Sequence, residues 1–153
     1  MKVLVSDRQK DLPIAHESYK LQRIAMLILD AEKQQCDELS FHFVTAPVIC
    51  RLHKKFFNDP TITDCVTFPM DLDPSGGFCY LGDVFVCPKQ ALIYAKENKG
   101  DPYKEVTLYV VHGLLHLLGY DDITAEDRKR MRIKEKKYMK ILEKTGNILC
   151  QNP

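Results

Sequence analysis

His112 and His116 stand four residues apart, and Asp122 follows six residues after the second histidine, in the run His112-Gly113-Leu114-Leu115-His116-Leu117-Leu118-Gly119-Tyr120-Asp121-Asp122. Residues four apart project from one face of a helix, one turn above the other. Gly119 is suited to end that helix, because glycine adopts positive φ cheaply. The chain then turns back and presents a carboxylate to the two imidazoles. Two imidazoles and one carboxylate suit a single zinc ion, and three protein ligands leave a fourth position for water. An open fourth position is the mark of a catalytic centre.

The elements that must position these residues follow from the pattern of apolar residues. Residues 2–6 read as a short strand, and Asp11-Leu12-Pro13 opens a helix to about Glu32 with Ile14, Leu21, Ile24 and Ile28 at helical spacing. Leu39 to Val44 alternates as a half-buried strand, and Pro47 begins a short helix that Asn58-Asp59-Pro60 breaks. Cys65 to Pro69 and Tyr80 to Val86 read as strands that pair across a turn-rich loop from Asp71 to Gly77. Pro88 starts a helix to about Lys96. Asp101 then caps and Pro102 opens a helix through Leu118 that is apolar almost all round and therefore central. Thr124-Ala125-Glu126-Asp127 resembles a capping box and begins a basic C-terminal helix. The order β-α-β-α-β-β-α-α-α predicts one α+β domain over 1–153. Its mixed, mostly four-stranded sheet is packed by about five helices, and a buried central helix carries the histidines.

Composition narrows the function classes. With 153 residues, 45% hydrophobic and 28% charged, the chain has the profile of a soluble globular domain. The longest apolar run, Ile24 to Leu29, is six residues, and the N-terminus offers no apolar signal segment, so a cytoplasmic protein without membrane attachment is expected. None of the six cysteines forms a CxxC pair, and reduced thiols are expected. Cys79 and Cys87 are candidates to face each other across strands, without a bond. Net charge is +1, but Arg128 to Lys144 holds nine basic residues against two acids. Within this helix Lys129, Arg130, Lys136 and Lys137 are candidate contacts to a polyanion.

The spacing also invites comparison with zinc peptidases of motif HExxHxxGxxH. Their glutamate is the general base, and Gly113 stands in its place here, so a peptidase has lost its base. His16, His42 and His53 have no comparable setting and read as surface or hydrogen-bonded histidines.

Taken together, the residues resemble the YbeY family of bacterial metal-dependent endoribonucleases, whose signature is HGxLHLxGYDH. His112, Gly113, Leu115, His116, Leu117, Gly119, Tyr120 and Asp121 match it position by position. Thr63 to Pro69 is similar to the family's PTDVLSFP strand, Leu81-Gly82-Asp83-Val84 to its LGDI/V strand, and Met131 with Glu135 to a recurring pair in the last helix. The resemblance spans roughly residues 40–145. It departs from the family pattern at Asp122, where the family has a third histidine, and at Phe57, where it commonly has an arginine suited to phosphate. Carboxylate is a competent zinc ligand, so binding should survive. At Phe57, either Arg51, Lys54 or Lys55 supplies the missing positive charge, or the RNA is handled differently.

The resemblance implies hydrolysis of single-stranded RNA in 16S ribosomal RNA 3′-end maturation and ribosome quality control. His112, His116 and Asp122 would act through a zinc-activated water, and Asp64, Asp83 and Asp121 are candidates for orientation or proton transfer. Implied partners are ribosomal RNA and the small ribosomal subunit, with a small-subunit ribosomal protein and an assembly GTPase. The alternative is a ribosome-assembly factor with a mainly structural zinc and little nuclease activity.

Overall fold

Alternating branched and aromatic residues form four strands, β1 (Lys2–Asp7), β2 (Glu38–Phe43), β3 (Cys65–Pro69) and β4 (Tyr80–Val86). Their spatial order is β1-β2-β4-β3, with β1, β2 and β4 parallel and β3 antiparallel on the edge beside β4. Among the described residues five α-helices complete the domain: α1 (Ser18–Ala31), α2 (Ala46–Phe57), α3 (Pro88–Asn98), α4 (Pro102–Leu117) and α5 (Ala125–Lys144). This architecture comes from a computed structural model, which describes residues 1–59, 63–70 and 77–151. The α+β class, the mixed four-stranded sheet and the central helix agree with the sequence reading. Most of the predicted 71–77 loop, including Asp71 and Asp73, lies outside the described residues, as does Pro60.

The first helix differs from its predicted start. Residues 11–17 do not continue α1; they hold a short 3-10 turn over Ala15–Glu17, and α1 begins at Ser18. Asp7, at the end of β1, accepts hydrogen bonds from the Ile14 and Ala15 amides at 3.0 and 3.1 Å. A carboxylate from a strand thus satisfies N–H groups that a helix start would otherwise leave orphaned. Cys79 and Cys87 do not face each other across strands, since they flank the two ends of the same strand, β4; all six cysteines are free thiols.

Pleating decides which sheet face meets which helix. Val84 and Val86 point to one face with Phe41 and Phe43, and all four are fully buried in the core that this face shares with α4. Along α4, Val106, Val110, Val111, Leu114 and Leu115 are likewise fully buried, because the helix packs on β3 and β4 and is flanked by α1, α3 and α5. The helix approaches the sheet closely at Gly113, where an added Cβ would lie 2.4 Å from Val84 Cγ1 and 3.0 Å from Cys65 Sγ. No larger side chain fits there. On the opposite face, Ile49 of α2 packs with Val44, Val66 and Cys87 in a smaller core.

Candidate metal centre

α4 ends where its histidines need it to. Asp101 caps the start of the helix by accepting from the Tyr103 amide at 2.9 Å. At the other end, Gly119 has φ +102°. Its N–H donates to the His116 carbonyl at 3.0 Å, and the Tyr120 N–H donates to the Leu115 carbonyl at 3.0 Å. This pair is a Schellman closure. It reverses the chain directly after His116 and sends residues 120–124 back over the helix face.

Glu32 of the α1 end gathers the returning loop and α5 together. Tyr120 donates its hydroxyl to Glu32 Oε1 at 2.5 Å, and Lys134 donates to Glu32 Oε2 at 2.9 Å. Buried Tyr138 of α5 donates to the same carboxylate. Burial alone would raise the Glu32 pKa, but these three donors hold it down at about 2. Asp121 Oδ1 accepts from the Asp122 amide at 2.8 Å, and Thr124 caps α5 by accepting from the Asp127 amide at 3.0 Å.

The result is a triangle of ligand atoms. His112 Nε2 and His116 Nε2 are 3.0 Å apart, and Asp122 Oδ2 lies 3.4 Å from each. Among the described residues this trio is a group that can hold a metal ion. It lines a cleft of about 570 Å³ together with Asp64, Asp121, His53 and Phe57. Each histidine side chain is 22% exposed and Asp122 42%, so the triangle faces solvent while its helix is buried.

His112 carries a partner that the sequence reading placed in the basic helix but did not connect to the histidine. Its Nδ1 lies 2.6 Å from Glu135 Oε1 of α5. Burial would lower the His112 pKa, but the Glu135 hydrogen bond and the charges of Glu135, Asp64 and Asp122 raise it. The available signal was the position of Glu135, four residues after Met131, a residue buried in the core at the same helical face.

Other predicted residues divide between sites. Asp64 and Asp121 are in the cleft wall, but Asp83 is not. Asp83 Oδ1 instead meets His42 Nε2 and the Tyr80 hydroxyl, each at 2.8 Å, on the sheet face away from α4. Arg51, Lys54 and Lys55 are exposed on α2, the helix that also contributes His53 and Phe57 to the cleft. Lys129, Arg130, Lys136 and Lys137 are exposed along α5 and do not line the cleft. Arg130 is within 3.6 Å of Glu126 and 3.9 Å of Asp127. His16 contacts the Cys150 carbonyl at 2.9 Å, and His53 lies 4.0 Å from Asp59. Among the described residues, no helix is long and apolar enough to cross a membrane.

Comparison with known proteins agrees with this fold. The family model described as "Endoribonuclease YbeY" matches residues 4–143. A protein named endoribonuclease YbeY from Protochlamydia amoebophila is 45% identical over 139 residues, covering 91% of each chain. A protein of the same name from Chlamydia felis is 37% identical, covering 97% of this chain and 96% of that one. Among solved structures, the solution structure of TM1509 from Thermotoga maritima is similar with a TM-score of 0.63 and 26% identity, covering 90% of this chain and 87% of that one. The match runs from β1 to the last turn of α5 and so takes in both histidines, the returning loop and Glu135; the chain belongs to the YbeY family.

Proposed function

We propose that the protein is a zinc-dependent endoribonuclease, one domain over residues 1–153, that cuts single-stranded RNA in the cytoplasm. Its substrate is the 3′ end of precursor 16S ribosomal RNA, met on the small ribosomal subunit during maturation and quality control. The observation that carries this reading is the triangle of His112 Nε2, His116 Nε2 and Asp122 Oδ2 at the wall of an open cleft. Tetrahedral ligands about 2.0–2.2 Å from zinc stand roughly 3.3–3.6 Å from one another. Edges of 3.4, 3.4 and 3.0 Å fit that set after an opening of a few tenths of an ångström at the shortest. The shared name of the relatives does not favour the alternative of an assembly factor without nuclease activity.

A bound zinc ion would supply positive charge that polarises a phosphodiester oxygen and acidifies water. The chain's own residues do the rest. Glu135 accepts from His112 Nδ1–H, which fixes the tautomer and leaves Nε2 as the lone-pair donor. Asp121 holds the Asp122 amide and so the position of the carboxylate. Asp64, the other cleft carboxylate, is the residue we assign to take the proton from the attacking water. Lys129, Arg130, Lys136 and Lys137 of α5, with Arg51, Lys54 and Lys55 of α2, would hold flanking phosphates.

The test is cleavage of a small-subunit rRNA precursor by purified protein of measured metal content, beside His116→Ala, Asp64→Asn and an unstructured protein substrate. Metal-dependent RNA cleavage lost in His116→Ala, with the protein substrate intact, is the expected result. Cleavage that survives the loss of His116 would overturn the reading, as would stoichiometric metal with no cleavage.

A further inference from the structure

A row of aromatic rings leads out of the metal cleft and across the sheet. Phe57, in the cleft wall, is 6.3 Å from Phe68 between ring centroids, and its neighbour Phe56 is 4.9 Å from the same ring. Phe68 then meets Phe85 edge to face at 5.6 Å, and Phe85 stacks on His42 at 4.4 Å with planes 15° apart. Strand register explains the alignment. Phe68 pairs with Asp83, and Phe85 with Val66, so both rings lie on the face opposite Val84 and α4. His42, at the end of the row, is held by Asp83 at 2.8 Å.

The row is accessible where it leaves the cleft, since Phe56 and Phe57 are each 54% exposed. Its border is cationic. α2 carries exposed Arg51, Lys54 and Lys55 and no acid between Ala46 and Phe57, and Lys55 Nζ stands 5.4 Å from the centre of the Phe56 ring. Exposed rings interleaved with cations suit a strand that offers π-faces and phosphates together, and single-stranded nucleic acid is such a strand. An apolar protein partner would gain nothing from the three cations.

We propose that the exposed end of this row, Phe57 and Phe56, is a stacking track for the single-stranded RNA that enters the cleft, braced from beneath by Phe68 and Phe85, which are half-buried against the small core under α2. Phe57 and Phe56 hold bases next to the scissile bond, and Arg51, Lys54 and Lys55 take the adjoining phosphates. The track rests on the endoribonuclease reading of the cleft and adds to it how the substrate is held: by base faces, without base-edge readout.

The experiment is fluorescence anisotropy of metal-loaded protein with a labelled oligouridine strand and with an abasic strand of equal length, in parallel with rRNA-precursor cleavage. The variants are Phe56→Ala/Phe57→Ala, Phe57→Leu, which keeps apolar bulk without a ring, and Tyr19→Ala as an exposed aromatic control on α1. Melting curves confirm that each variant folds. The expected result is at least about thirtyfold weaker oligouridine binding in the double variant and a smaller loss in Phe57→Leu, with abasic binding and the Tyr19→Ala control unchanged. Equal oligouridine affinity in wild type and double variant, while wild type still cuts the precursor, overturns the track and leaves the nuclease standing. Wild type that neither binds nor cuts RNA removes both. Equal losses on the two strands overturn stacking in favour of a backbone effect. Unchanged RNA binding with lost association to small ribosomal subunits makes the row a protein-docking patch and overturns the proposal.

Discussion

Glu135 Oε1 lies 2.6 Å from His112 Nδ1, so the basic helix α5 reaches into the candidate metal centre through one of its few acids. A carboxylate on the far nitrogen aims the ring and strengthens the lone pair on the near one. Replacing Glu135 with Gln or Ala should therefore weaken metal binding by about 10–100-fold without removing a ligand. Competition titration against a chromophoric chelator measures this, and an unchanged affinity would show that the contact does not orient His112.

Glu32 gives the returning loop a dependence on pH. In the folded protein its pKa sits at about 2, against an ordinary value of 4.5. Its contribution to stability is fully present above pH 4.5 and is lost as pH falls toward about 2, because the unfolded chain takes up the proton first. Glu32→Gln should lose that part of the acid dependence while destabilising the protein at neutral pH. Urea denaturation at a series of pH values reads both effects; parallel curves for wild type and variant would remove Glu32 from the account.

Gly113 is a packing requirement. A Cβ there would meet Val84 Cγ1 at 2.4 Å, and Val84 is fully buried with little room to shift. Gly113→Ala should cost about 1–3 kcal/mol through overpacking between α4 and β4. The gain in helix propensity, about 1 kcal/mol, offsets part of this. A thermal midpoint equal to or above wild type would contradict it. The same close approach explains why a peptidase-type glutamate has no place after His112.

The α5 cations act together on salt dependence. Neutralising Lys129, Lys136 and Lys137 should lower the slope of log affinity against log salt by about 0.7 for each phosphate that is no longer neutralised. Arg130 should matter less, since it stands within ion-pair distance of Glu126 and Asp127. Titrating oligouridine binding across salt concentrations checks the order, and an Arg130 effect as large as that of Lys136 would reverse it.

Much of the candidate metal centre was legible in the chain because it is local. His112, His116, Gly119 and Asp122 fall within one helix end and its closure, where spacing alone sets geometry, and the ligand atoms indeed converge. The strands, the central helix and the caps at Asp101 and Thr124 were readable for the same reason, since each depends on neighbours a few residues away. What the tertiary structure alone decided depends on residues far apart in sequence. Glu135 reaches His112 across 23 positions, and Glu32 meets Tyr120 across 88. Asp83 is turned toward His42 by the pleat of β4, away from the cleft. Asp7, at the far end of a strand, holds the 3-10 turn that precedes the first helix. Periodicity shows which face a side chain takes within its own element. Which partner meets it there is decided by how the elements pack.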